Sequence, residues 1–127
     1  MLGCMKTVAI IGASANRAKF GNKSVRAHAQ AGYHVYPINP QETEIEGWPA
    51  YRSIRDVPAG RIDRVSVYLP AAAAMAVLEE IVQREIGEVW FNPGADHRDV
   101  LKKARELGLP IVVGCSIVAL GMSPDEL

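Results

Sequence analysis

Three things are scarce in this 127-residue chain: cysteine, long apolar runs, and acidic residues near the amino terminus. The two cysteines, Cys4 and Cys115, lie far apart and have no metal-ligand spacing. That excludes a disulfide framework and a cysteine-based metal site, and it predicts a reducing, cytoplasmic setting. No stretch approaches the ~20 apolar residues needed to cross a bilayer. Nor does the start of the chain carry an apolar segment of signal-peptide length. Fourteen basic residues balance fourteen acidic ones, which argues against general affinity for nucleic acid or a membrane surface.

The shortage of acidic residues is local. Up to Gln41 there are five basic residues, Lys6, Arg17, Lys19, Lys23 and Arg26, and no acidic one. The opening unit is therefore positive within an otherwise acidic protein, and a small polyanion suits it better than DNA. Lys23 and Arg26 are expected to include a solvated charge on the outside of a helix.

What is present is a regular alternation. Short runs rich in β-branched residues occur at Val8 to Ile11, Val35 to Ile38, Val65 to Leu69, Val89 to Phe91 and Ile111 to Val113. Such runs suit strands buried on both faces of a parallel sheet. Between them lie helical patterns. One runs from about Asn22 to Ala31 and stops at Gly32, a second from about Ala71 to Ile86 and stops at Gly87, and a third starts with Asp96 as its cap. A polar connection from Gln41 to Gly60 carries Trp48 and Tyr51, expected to fold over the core, and a short helix near Ser53 to Asp56. One domain covering residues 1–127 is expected, an α/β fold whose five-stranded, mainly parallel sheet is doubly wound with helices on both faces.

In such sheets a ligand lies outside the carboxyl ends of the strands. The five exits here are Gly12-Ala13-Ser14, Asn39-Pro40, Leu69-Pro70, Asn92-Pro93-Gly94 and Gly114-Cys115-Ser116. The first joins a strand to a helix N-terminus, where backbone N–H groups and the helix dipole can hold a phosphate. A dinucleotide fingerprint would place two further glycines in this loop and a carboxylate at the end of the second strand. Both are missing, which ranks NAD(P) second.

The landmarks Gly12-Ala13-Ser14 with Asn16-Arg17 and Gly21, then Gly32-Tyr33, Pro37 and Asn39-Pro40, Gly47 and Tyr51, Trp90 with Gly94, and Cys115 resemble the stand-alone CoA-binding domain proteins. These in turn are similar to the N-terminal CoA-binding domain of the succinyl-CoA synthetase α subunit. The resemblance implies a Rossmann-like domain that holds CoA or acyl-CoA in an extended pose. It places Gly12, Ala13, Ser14 and Arg17 around the phosphates, with Asn16, Lys19 and Phe20 on the same side. Asn39 and Pro40 would border the adenine and ribose, Leu69 and Pro70 the next wall, and Asn92, Pro93 and Gly94 the pantetheine. Arg17 is the leading phosphate ligand, because a guanidinium grips an anion bidentately.

No catalytic constellation emerges. His28, His34 and His97 read as separate surface histidines, and the family's ligase relatives carry their catalytic histidine in a domain this chain lacks. Cys115 keeps a thiol or redox role open, since it ends the last strand on the cofactor's rim. The reading is a CoA-binding protein, with a homodimer or a separate acyl-CoA enzyme as partner.

Overall fold

The computed structural model describes residues 6–127; Cys4 lies outside the described residues. Strand β1 (Thr7–Ile11) leads to helix α1 (Phe20–Gln30) and back to β2 (His34–Ile38). A two-residue-per-strand hairpin follows, β3 (Glu44–Ile45) and β4 (Trp48–Pro49), then a 3-10 turn at Ile54–Asp56. The chain continues through β5 (Arg61–Val67), α2 (Ala71–Ile81), β6 (Glu85–Phe91), α3 (Arg98–Glu106), β7 (Ile111–Val113) and α4 (Ser116–Ala119). A final 3-10 turn spans Pro124–Glu126.

The main sheet has five parallel strands in the order β2-β1-β5-β6-β7. Its centre is β1, whose residues alternate between two cores because successive side chains of a strand point to opposite faces. Val8 and Ile10 pack with Val25 of α1, Val35 and Ile45. Ala9 and Ile11 face the larger core of Val65, Val67, Leu78, Ile81 and Val100, supplied by α2 and α3. The sheet is thus doubly wound. After β2 the chain returns to the other side of β1, so β1 and β5 flank the reversal of strand order where such sheets open a crevice.

Several boundaries differ from the sequence expectations. Helix α2 ends at Ile81, not Ile86, because Glu85, Ile86 and Gly87 belong to β6. Val82 and Ile86 fit a helical stripe by spacing alone, but Val82 is exposed. Gly87 is no helix stop: it faces β5 at a close approach where a Cβ would overlap the carbonyl oxygen of Asp63. Helix α1 starts two residues early, at Phe20. Helix α3 takes His97, not Asp96, as its N-cap, while Asp96 Oδ1 accepts from the Gly94 amide at 3.2 Å and closes the preceding turn. Gly32 does follow α1 in the left-handed conformation, φ 92°. Trp48 and Tyr51 lie against the two cores.

Of Lys23 and Arg26, at least one is expected to be a solvated charge, but both are engaged. Lys23 Nζ donates to the Pro124 carbonyl at 2.9 Å, and Arg26 donates to Asn22 Oδ1 at 2.7 Å and to the Arg17 carbonyl at 2.9 Å. His28 is not at the surface either. It is fully buried on α1, its Nδ1 2.8 Å from the Ser24 carbonyl, and burial pushes its pKa down to about 4 despite that bond, with the Arg64 charge adding to the shift.

Candidate functional site

The site begins where β1 leaves the sheet. Gly12 has φ 91°, a conformation that costs side-chain-bearing residues energy. A Cβ there would also stand 2.6 Å from the Tyr68 carbonyl oxygen. Across the loop, a Cβ on Gly21 would overlap the Gly12 carbonyl oxygen. The two glycines therefore bring the first turn of α1 backbone-to-backbone against the exit of β1.

That first turn is left open. Its N-cap, Lys19, supplies no side-chain acceptor, and no acidic residue lies in the turn. The N–H groups of Phe20 and Gly21 have no acceptor among the described residues. Free amides at a helix start, reinforced by the helix dipole, form an anion-binding surface.

The rest of the loop is tied down. Ser14 Oγ accepts from the Asn16 amide at 3.0 Å, and Asn16 Oδ1 accepts from the Ala18 amide at 3.0 Å. Asn39 donates to the Ala13 carbonyl at 2.9 Å, joining the exits of β1 and β2. A third tie comes from the hairpin, whose turn residues Glu46 and Gly47 have φ 51° and 82°, both positive as a type I′ turn demands. Glu46 accepts from Arg17 at 2.8 Å and from Asn22 Nδ2 at 3.1 Å, and Asn22 also donates to the Ser14 carbonyl at 2.9 Å.

These elements border a cleft of about 610 Å³ along the carboxyl ends of the strands. Of the residues singled out by sequence, Gly12, Ala13, Ser14, Lys19, Phe20, Asn39, Pro40, Leu69, Pro70, Pro93 and Gly94 line it. Three do not. Asn16 is turned into its own loop, Arg17 is occupied by Glu46, and Asn92 is buried behind the rim. Gly21, Tyr68 and Ala95 join the lining without having been named as site residues. Gly21 had already stood out as a landmark, and Tyr68 directly precedes the strand exit at Leu69. Lys19 is the one cationic side chain in this lining, which contains no carboxylate.

Behind the rim lies a buried polar chain. The Ser116 amide donates to Asn92 Oδ1 at 2.8 Å and its hydroxyl to the same oxygen at 3.1 Å. Asn92 Nδ2 donates to Ser66 Oγ at 2.8 Å and to the Val67 carbonyl at 3.0 Å. With the Ser116 proton committed to Asn92, Ser66 and Tyr68 are left to donate to Ser116 Oγ, at 2.7 and 3.1 Å. Every member is satisfied, which is what makes such a network rigid. It fastens the exits of β5 and β6 to the start of α4.

The family profile described as CoA binding domain matches residues 6–121. The chain belongs to the CoA-binding domain family. An ADP-forming acetate–CoA ligase of Methanocaldococcus jannaschii is 39% identical to this domain over 90 residues, which is 70% of this chain and 13% of the ligase. The α subunit of ADP-forming acetate–CoA ligase I of Pyrococcus furiosus is 29% identical over 96% of this chain and 29% of its own length. The CoA-binding domain thus spans only a fraction of those ligases. It spans most of an uncharacterised protein, YneT of Bacillus subtilis, at 25% identity over 88% of this chain and 82% of that one. Among solved structures, a hypothetical protein from Pyrococcus horikoshii OT3 superposes with a TM-score of 0.82 at 30% identity, covering 91% of this chain and 81% of the other.

Cys115 of the CoA-binding domain is half-buried at the N-cap of α4 and does not line the cleft. It adjoins Tyr68, whose phenol is raised above its ordinary pKa by burial, against the pull of its hydrogen bonds and with a contribution from the Cys115 thiol. His34 and His97 sit at the starts of β2 and α3, and His28 lies buried in α1, so the three histidines form no cluster.

Proposed function

We propose that this chain is a single cytoplasmic domain that binds CoA or acyl-CoA across the carboxyl ends of its strands and catalyses no reaction by itself. The observation that carries the reading is the open first turn of α1, whose free amides and Lys19 face a cleft without carboxylates. A pyrophosphate is the natural occupant of such a turn. Gly12, Ala13 and Ser14 would border it, Asn39 and Pro40 the adenosine, and Pro93 and Gly94 the pantetheine arm. The separated histidines give no support to a phosphoryl or acyl transfer step. A second reading, a subunit that presents CoA to a separate acyl-CoA enzyme, is favoured by the small share of the ligase relatives that the chain covers.

Thermal unfolding with CoA, acetyl-CoA, NAD and NADP at matched concentrations tests the ligand. A ligand at one hundred times its Kd adds about 2.7 kcal/mol, which for a chain of this size raises Tm by roughly 10 °C. CoA and acetyl-CoA are expected to produce that rise and NAD to leave Tm unchanged. A rise with NAD and none with CoA would overturn the reading.

A further inference from the structure

Beside the main cleft lies a second cavity of about 300 Å³ with a different character. Its walls are apolar, formed by Ile11, Ile38, Leu69, Ala73, Ala76 and Val77, from two strands, a strand exit and one face of α2. The two cavities share Gly12, Ala13, Asn39, Pro40 and Leu69, so one extended ligand can lie in both. A slot of this size and lining suits a planar base, with the phosphates left to the open turn of α1.

The polar groups at its mouth specify what the ribose must carry. Asn39, at the end of β2, has no acceptor to spare for a diol: Oδ1 already accepts from the amides of Gln41 and Glu42 at 2.7 and 3.0 Å, while Nδ2 gives one of its two protons to the Ala13 carbonyl. The carboxylate that would accept from ribose hydroxyls is absent from this position. A guanidinium stands at the mouth instead. Arg52 lines the slot, is exposed, and makes no ion pair among the described residues. Its place is fixed by Tyr51, which pairs with the end of β2 by accepting from the Asn39 amide and donating to the Pro37 carbonyl, both at 2.9 Å. One carboxylate also lines the slot, Glu80, which accepts from the Ser53 hydroxyl at Oε1 and makes no ion pair with Arg52.

We propose that the slot holds adenine and that Arg52 binds a phosphomonoester on its ribose, so that the protein selects 3′-phosphoadenosine over unphosphorylated adenosine. The proposal rests on the CoA reading and adds to it a specificity element that the shared family landmarks do not contain.

Calorimetric titration of CoA, dephospho-CoA and NADP into the wild type, Arg52→Ala and Arg52→Lys tests it. Dephospho-CoA should bind the wild type about tenfold more weakly than CoA, the worth of one charge-assisted contact. Arg52→Ala should reduce CoA to the dephospho-CoA level and leave dephospho-CoA unchanged, and Arg52→Lys should restore part of the difference. Equal weakening of both ligands, or none, would overturn the assignment of Arg52 while leaving CoA binding intact. Arg52-dependent binding of NADP with no binding of CoA would instead overturn the CoA reading and place a 2′-phosphate in the slot.

Discussion

At the amino end of the sheet, Thr7 and Asp63 exchange hydrogen bonds at 2.8 and 3.0 Å, and Arg61 pairs with Asp63 at 3.3 Å. Arg64 pairs with Glu88 at 2.7 Å and lies over the rings of Tyr33 and Trp90 at 5.4 and 4.9 Å. A cavity of about 280 Å³ there is lined by five charged side chains, yet four of them are paired to one another. At the carboxyl end the cleft has one charged side chain in its lining and two backbone donors left open. The contrast teaches that charge content does not mark the site. Open backbone donors bordering a cleft do, because a polar group without a partner gains most from a ligand that can reach it. The one unpartnered buried side-chain donor among the described residues, Trp90 Nε1, lies out of reach beneath Arg64.

The sharpest way to break this comparison uses two glycines, one at each end. An alanine methyl at Gly21 meets the Gly12 carbonyl and one at Gly87 meets the Asp63 carbonyl, so each substitution forces backbone apart. Each should cost about 3 kcal/mol of stability, the upper range for overpacking. Only Gly21→Ala should also lower CoA affinity by more than about a hundredfold, since positioning at a closely packed site is worth several kcal/mol. Urea unfolding and calorimetry on the two variants read both effects, and equal losses of affinity would erase the distinction between the ends.

The next effect belongs to the amino end alone. His28 titrates at about 4 in the folded chain, against 6.5 for the free side chain. As pH falls from 6.5, the unfolded chain takes up a proton that the folded chain refuses. Stability is therefore full above pH 6.5, declines as pH falls towards 4, and levels off below. The loss is on the order of 3 kcal/mol. Denaturant titrations across this window should show the decline in the wild type and a flatter profile in His28→Gln; identical slopes would remove His28 as the cause.

The smallest expected effects sharpen the description of the open end. Lys19→Ala should weaken CoA about fivefold, as an exposed charge on a phosphate should. Arg17→Ala should weaken it about twofold, acting only through the loop that Glu46 and Asn22 hold. Affinities measured in one buffer decide the order, and a larger loss at Arg17 would mean that it leaves Glu46 for the ligand.

Most of the sheet was legible because its strands are short β-branched runs bounded by turn residues, and the strand exits located the cleft. Misreadings came where one local signal served two structures. Ile86 falls on the helical period of α2 but lies in β6, and Gly87 looks like a helix stop but makes a close strand approach. Long-range pairing was invisible: Glu46 lies 29 residues from Arg17, and nothing local shows that the two side chains pair. The hairpin that presents Glu46 has strands of two residues, too short to leave a period. His28 sits among small residues on α1, and its burial depends on Tyr33 and Arg64 arriving from elsewhere.

The buried chain behind the rim has one chemical consequence for the ligand. Because Tyr68 donates inward to Ser116, its phenolic proton is held away from the cleft, and its raised pKa keeps that proton in place at neutral pH. The largest polar side chain bordering the cleft therefore presents its ring, and not its hydroxyl proton, to whatever fills the space. That border of the cleft is thus an aromatic wall whose one polar atom is turned into the protein.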